Sequence, residues 1–399
     1  MKTSKILMTA FAAAMVIAGF SSCDKGGQTP TPDPDPTPDP DPDPVEQTIG
    51  GRVTEDLTLE AGETYMLTSS LQVVAPATLT IEPGVSIIAD ESAGNDNIIY
   101  ILIEQGAKIM AEGTADEPIV MSSEKKEPGA WGGLHICGKA HTNADGATTS
   151  EIGNAPYGGD DDNDNSGVLK YIRIEYSGLA LDSEHEANGI SLYGVGAGTE
   201  ISYIYVVDGS DDGIEFFGGS ANIDHCVVEN CTDDSYDWTE GWNGTAEYIV
   251  AYQSVDECDC LMECDNNGDN NEATPVAQPA IRYATFIGNN SADNHRGLRF
   301  REGTYVRLSN ALVCGKPDPI TLDTPQTVNS FADGNSSITN TVIVGELLNE
   351  EGTGYDNDSF LAAEGNSAVA SMNFTDNYVG MIGESGAVSA DNDWTTWIR

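Results

Sequence analysis

Basic residues are scarce in this 399-residue chain: 17 Lys and Arg stand against 65 Asp and Glu, a formal net charge of −48. A field that negative repels phosphates, which excludes nucleic acid as a partner. It also repels acidic polysaccharides unless a cation bridges the two. Helix signals are almost absent, because the apolar residues alternate in short β-branched runs instead of recurring every three or four positions. After the first 22 residues no apolar run is long enough to span a membrane. His135, His185, His225 and His295 are scattered, lack ligand-spaced partners and read as structural. Of the eight cysteines, Cys137, Cys226 and Cys314 sit in β-type apolar runs and read as core. Cys231, Cys258, Cys260 and Cys264 read as loop residues; the C-x-C-x3-C spacing of the last three lacks a paired C-x2-C or a nearby His, and leaves a local disulfide or a metal site open.

What is present begins with "MKTSKILMTAFAAAMVIAGFSSC". Lys2 and Lys5 precede an apolar stretch, Ile6 to Phe20, too short for a spanning helix, as in a secretory signal peptide. Its end, "AGFSSC", resembles a bacterial lipobox, which implies cleavage after residue 22 and a lipid on Cys23. Without Lys2 and Lys5 the mature chain has 15 basic and 65 acidic residues, a balance of −50. "TPTPDPDPTPDPDPDP" (Thr29 to Pro44) then holds 8 of the 18 prolines. Proline fixes φ and removes the donor, so this segment is extended and reaches roughly 50 Å at ~3.1 Å per residue. The expected organisation is therefore a signal peptide (1–22), a lipidated cysteine with its linker (23–46) and one folded domain (47–399). Such a protein is expected on the outer membrane, held by lipid through Cys23 and facing the exterior.

The folded part repeats. Seven segments align: "LKYIRIEYSG" from Leu169, "ISYIYVVDGS" from Ile201, "IDHCVVENCT" from Ile223, "AEYIVAYQSV" from Ala246, "IRYATFIGNN" from Ile281, "LSNALVCGK" from Leu308 and "ITNTVIVGE" from Ile338. Their third residues (Tyr171, Tyr203, His225, Tyr248, Tyr283, Asn310, Asn340) form one column and their sixth (Ile174, Val206, Val228, Ala251, Phe286, Val313, Ile343) an apolar one. A second strand follows at a matching offset: "GISLYG", "GIEFFGG", "SYDWTEGW" and, after a long insertion, "GLRFREG". The tightest repeats are 22 to 24 residues, suited to three short strands with turns and too short for a propeller blade. Each coil buries its face only against its neighbours. The expectation is an all-β, single-stranded, right-handed parallel β-helix.

Together "LTIEPGVSI", "GAKIMAEGTADEPIVMSS", "PGAWGGLHICGKA", "DDGIEFFGG" and "DDSYDWTEGW" resemble the right-handed β-helix lipoproteins of Bacteroidota-type envelopes, with a pectate-lyase-like fold. That resemblance covers nearly all of the mature chain and implies fold and setting. A second, partial resemblance is to polygalacturonase-type glycosidases, which carry an Asp one coil before an Asp-Asp pair, then a His, then Arg-x-Lys. Here Asp211 or Asp212 matches the first and Asp233-Asp234 the second; the His is missing, and Arg299-x-Arg301 replaces Arg-x-Lys.

The carboxylates are the chemical feature. Asp211-Asp212 and Asp233-Asp234 stand 22 residues apart, as do Glu215 and Asp237 within "IEF" and "YDW". If 22 residues make one coil, like positions stack at ~4.8 Å, which sets Glu215 beside Asp237 and Asp212 beside Asp234, with Arg299 further along the column. Alternation turns Glu215 and Asp237 away from Ile214, Phe216, Tyr236 and Trp238. Two ionised carboxylates at that distance repel by ~1 kcal/mol in water and ~3 kcal/mol at an effective dielectric of 20. A shared proton, a cation or an arginine can offset this. The Asp-Asp pairs directly precede strands, where a side-chain oxygen can satisfy a backbone N–H.

These residues support two readings. A binding module takes a glycan or a surface protein on its flank, with Tyr236, Trp238, Trp242 and Tyr252 as an aromatic platform and Ca²⁺ as a stabilising cofactor. An enzyme acts on polysaccharide with Asp212, Glu215, Asp234, Asp237 and Arg299, as a glycoside hydrolase or, less readily, a calcium-assisted uronate lyase. For calcium, "DDNDNSG" supplies Asp160, Asp162 and Asp164 in the front half of a D-x-D-x-S-G loop, without the Glu at its twelfth position.

Overall fold

The computed structural model describes residues 47–93, 97–180, 186–379 and 386–399. The signal peptide, Cys23, the Pro/Asp segment and His185 lie outside the described residues. Twenty-five strands form one continuous parallel sheet wound as a right-handed β-helix. A two-stranded antiparallel ribbon, Leu179–Ala180 with Glu186–Ala187, stands apart from it.

Each middle coil contributes one long strand and one short one. Glu200–Val207, Ile223–Glu229, Thr245–Tyr252, Ala280–Ile287 and Arg307–Cys314 are successive long strands. Ile214–Phe217, Tyr236–Thr239, Met262–Cys264 and Arg296–Phe300 are successive short ones. Ile214 pairs with Tyr236 and Glu215 with Asp237, so the 22-residue interval is the pitch of one coil.

The third residue of every long segment sits at positive φ, between 49° and 56°, from Tyr171 to Asn340. That left-handed residue bends the strand, making two short sheets of it and three faces per coil. The price is strain at a non-glycine position, and stacking offsets part of it: the rings of Tyr171, Tyr203, His225, Tyr248 and Tyr283 follow one another at 4.4, 4.7, 4.8 and 4.9 Å. The sixth residues, Ile174 through Ile343, line the interior and are fully buried. Each such side chain contributes ~1.5–3 kcal/mol against exposure.

Three features depart from the sequence expectation. Two short helices, Pro325–Ala332 and Asn357–Ala362, close the last coils; proline at the first helical turn and the Asp356 cap, which accepts the Ser359 N–H, are their local causes. The insertion after Tyr252 does not interrupt the winding. It supplies a coil of its own, with Met262–Cys264 as its strand. The C-terminal stretch ends in a 3-10 turn, Trp394–Ile398, and packs Trp397 and Ile398 over the outward residues Tyr205, Val227 and Val250.

Candidate functional site

Strand alternation and coil stacking together build one outward column. Its order is His135, Ser191, Glu215, Asp237, Glu263, Arg299 and Thr321. The expected neighbours Glu215 and Asp237 are adjacent. Arg299 is not next to them, because Glu263, from the inserted coil, stands between Asp237 and Arg299. Arg299 bonds Glu263 Oε1 at 2.7 Å and Asp323 Oδ2 at 3.0 Å. Arg301 bonds Asp265 at 2.7 and 3.1 Å and Glu263 Oε2 at 2.8 Å. The upper end of the column is thus neutralised by guanidinium groups. Among the described residues no ion pair reaches Asp212, Glu215, Asp234 or Asp237 at the lower end.

The Asp-Asp pairs act as turn residues and also border this column. Asp212 Oδ1 accepts the Asp234 N–H at 2.9 Å, and Asp234 Oδ1 accepts the Cys260 N–H at 2.6 Å. A carboxylate ladder therefore runs up the turn, one amide per coil. Oxygens of Asp212, Glu215 and Asp237 also converge within 4.8 Å of one another, as do those of Asp212, Asp233 and Asp234, and of Asp234, Asp237 and Glu263. Burial first, and repulsion by neighbouring carboxylates second, push the pKa values of Asp212, Glu215, Asp234 and Asp237 well above the usual carboxylate range. The same causes push Asp211 up to about 8 and Asp233 up to about 6.

Uncompensated buried charge asks for a proton or a cation. The Asp212, Glu215 and Asp237 donors are all oxygen, the chemistry of a hard cation such as Ca²⁺ and not of zinc or copper. Buried Asn188 points its Nδ2 at Glu215 Oε2 (2.5 Å) and Ser191 Oγ (3.2 Å), while its Oδ1 has no hydrogen-bond partner. An orphaned amide oxygen beside three crowded carboxylates suits the same kind of ion. The thiol of Cys260, near Asp234 and Asp259, is held protonated by burial and then by Asp234, which makes it a poor ligand.

Other expected site residues lie elsewhere. Tyr236, Trp238 and Trp242 are each only 1 % exposed and belong to the interior, so they are no aromatic platform. The alternation that turns Asp237 outward turns Tyr236 and Trp238 inward. Their polar atoms are satisfied inside: Tyr236 Oη donates toward the carbonyls of Cys226 and Val250, Trp238 Nε1 to Thr304 Oγ1, and Trp242 Nε1 to the Ala221 carbonyl. Tyr252 packs on a different face, against Tyr378. Asp160, Asp162 and Asp164 do not converge on a point. Asp162 takes the His141 ring (2.7 Å) and its N–H, Asp164 takes the Lys139 N–H, and Asp160 is exposed. The seven described cysteines are buried free thiols, and Cys264 lies in a strand, not a loop.

Glu263, Asp265 and Asp323 are the members of the column's network that sequence reasoning missed. Alternation in "LMECD" would have flagged Glu263 had the insertion been recognised as a coil. Beside the column lies a cleft of about 660 Å³, lined by Asn143, Thr239, Glu240, Asn267, Asp269 and Glu272 among others. Thr239 is on the same strand as Asp237, two residues on and thus on the same face. Tyr157 Oη donates to both oxygens of Glu240 at 2.9 and 2.8 Å, and Thr142 Oγ1 donates at 2.6 Å, which ties the loop after residue 140 to the coil wall.

Residues 51–397 match the family model of the pectate-lyase-like beta helix domain. No curated protein and no solved structure matches the chain.

Proposed function

The chain belongs to the pectate-lyase-like beta helix family, and from that premise we propose that it is an exported lipoprotein whose β-helix flank binds an extracellular glycan through a calcium ion. Asp212, Glu215 and Asp237 would hold the ion, with Asp234 and the Asn188 amide beside them. The observation that carries this reading is the convergence of three carboxylates within 4.8 Å where, among the described residues, no arginine or lysine forms an ion pair with them. A bound cation removes their repulsion and gives a chain of balance −50 the means to accept an acidic sugar. The neighbouring polar cleft, rich in amide, hydroxyl and carboxylate groups, suits sugar hydroxyls. Cys23 would carry the lipid and the Pro/Asp stalk would hold the domain clear of the outer membrane.

The test is calorimetric titration of Ca²⁺ into the mature chain carrying Cys23→Ser, followed by a glycan array with and without EDTA. Calcium binding, with glycan capture lost in EDTA, is expected. Absence of calcium binding overturns the reading. For the anchor, Cys23→Ser should move the protein from the membrane fraction to the soluble one.

A second reading has an observation of its own. Raised pKa values at Glu215 and Asp237 let one acid stay protonated beside an ionised partner, as a glycoside hydrolase requires. Their close approach favours a retaining arrangement over the wider spacing of inverting enzymes. Reducing-sugar release abolished by Glu215→Gln and by Asp237→Asn would establish catalysis over binding alone.

A further inference from the structure

Lys316 is the one strongly buried lysine of the described domain, at 4 % exposure. A buried ammonium must be paired or fully hydrogen-bonded. Among the described residues Lys316 has no ion pair; its Nζ instead donates to three backbone carbonyls, those of Asp259 (2.6 Å), Asn294 (2.9 Å) and Cys258 (3.2 Å). All three of its N–H groups are used.

The direction of these bonds matters. The Asp259 carbonyl and the Cys260 N–H belong to one peptide group. Its oxygen takes Lys316 at 2.6 Å, and its N–H gives to Asp234 Oδ1 at 2.6 Å. The peptide before it repeats the pattern: the Cys258 carbonyl accepts from Lys316, and the Asp259 N–H donates to the Asp233 carbonyl at 3.1 Å. The carbonyls of Val255, Asp256 and Glu257 are capped by the side-chain amides of Asn289 and Asn294 at 2.8 to 3.1 Å, and Asn289 also donates to the Cys258 carbonyl at 2.9 Å. The two peptides from Cys258 to Cys260 are therefore polarised. The Cys258 and Asp259 oxygens face the lysine of a later coil, and the amides of Asp259 and Cys260 face the acidic turn. A cation at one end of a peptide and an anion at the other strengthen both hydrogen bonds.

We infer that Lys316 is a positioning residue of the acid site, acting on Asp234 through the peptide group that joins Asp259 to Cys260. It fixes the inserted turn so that the Cys260 amide holds one Asp234 oxygen, which leaves the other for the carboxylate cluster. The consequence for calcium rests on the reading proposed above; the relay itself does not.

The experiment uses the mature Cys23→Ser chain. Lys316→Met is expected to lower calcium affinity about tenfold, and by less than about twofold in an Asp234→Asn background, as coupled residues require. Equal losses in both backgrounds, or unchanged affinity in a folded Lys316→Met chain, overturn the inference. Lys316→Gln, which keeps donors without charge, serves if the methionine variant does not fold. In ¹⁵N-cysteine-labelled protein without calcium, the Cys260 amide proton should move upfield in Lys316→Gln; an unmoved resonance also overturns the relay. A wild-type chain that binds no calcium while this resonance moves refutes the cation reading and supports the relay.

Discussion

At the level of single residues, the outward acids are the least settled part of the fold. Asp212, Glu215, Asp234 and Asp237 have folded-state pKa values above their unfolded ones. The native state therefore binds more protons than the unfolded state at intermediate pH, and stability falls as pH rises. Their contribution is complete below the unfolded value, roughly pH 4, and is lost as pH rises through their raised values; Asp233 and Asp211, pushed up to about 6 and about 8, add losses of the same sign. In EDTA the melting temperature should be higher at pH 5 than at pH 8, and calcium should recover the difference at pH 8. Glu215→Gln should raise the cation-free melting temperature at pH 8 and blunt the response to calcium; differential scanning fluorimetry reads both. The aromatic residues beside these acids show where residue-level reading fails. "YDW" suggests a sugar platform, yet one strand cannot turn Asp237, Tyr236 and Trp238 to the same side.

Among elements, the coil repeat rests on close backbone contact and on the left-handed column. A Cβ at Gly213 would lie 2.3 Å from Val228 Cγ1 and 2.6 Å from the Ser235 carbonyl oxygen of the next coil. Gly213→Ala should therefore cost ~1–3 kcal/mol in urea unfolding, the usual range for forced overpacking. Tyr248 sits at φ 54° between His225 and Tyr283. Tyr248→Asn loses the stacking and keeps a residue that tolerates this conformation. Tyr248→Val also places a β-branched residue there, and should be less stable than the Asn variant by about 1 kcal/mol or more. A strand-end glycine and a column of aromatic and Asn residues were both readable as repetition. That the third position is left-handed was not, since Tyr, which fills Tyr171, Tyr203, Tyr248 and Tyr283 of that column, carries no local signal for positive φ.

For the whole molecule, the acid excess acts as a field and the converging carboxylates as a site, and the two respond differently to salt. Sodium chloride should raise the cation-free melting temperature gradually, by screening self-repulsion over a Debye length of ~10 Å at 0.1 M. Calcium should act at far lower concentration and saturate, as linkage to a native-state site requires. Equal effects of the two salts at matched ionic strength would leave only the field. The sequence alone determined the β-helix, its 22-residue pitch and the pairing of Glu215 with Asp237, because each coil carries the same short pattern and stacks on its neighbour by it. Tertiary structure alone decided that the insertion forms a coil, that Glu263 separates Asp237 from Arg299, that the C-terminal turn covers an outer face and that Lys316 reaches the inserted turn. Those segments do not repeat. Their place is set by which carbonyls, amides and charges find partners across distant parts of the chain, and no local periodicity encodes that choice.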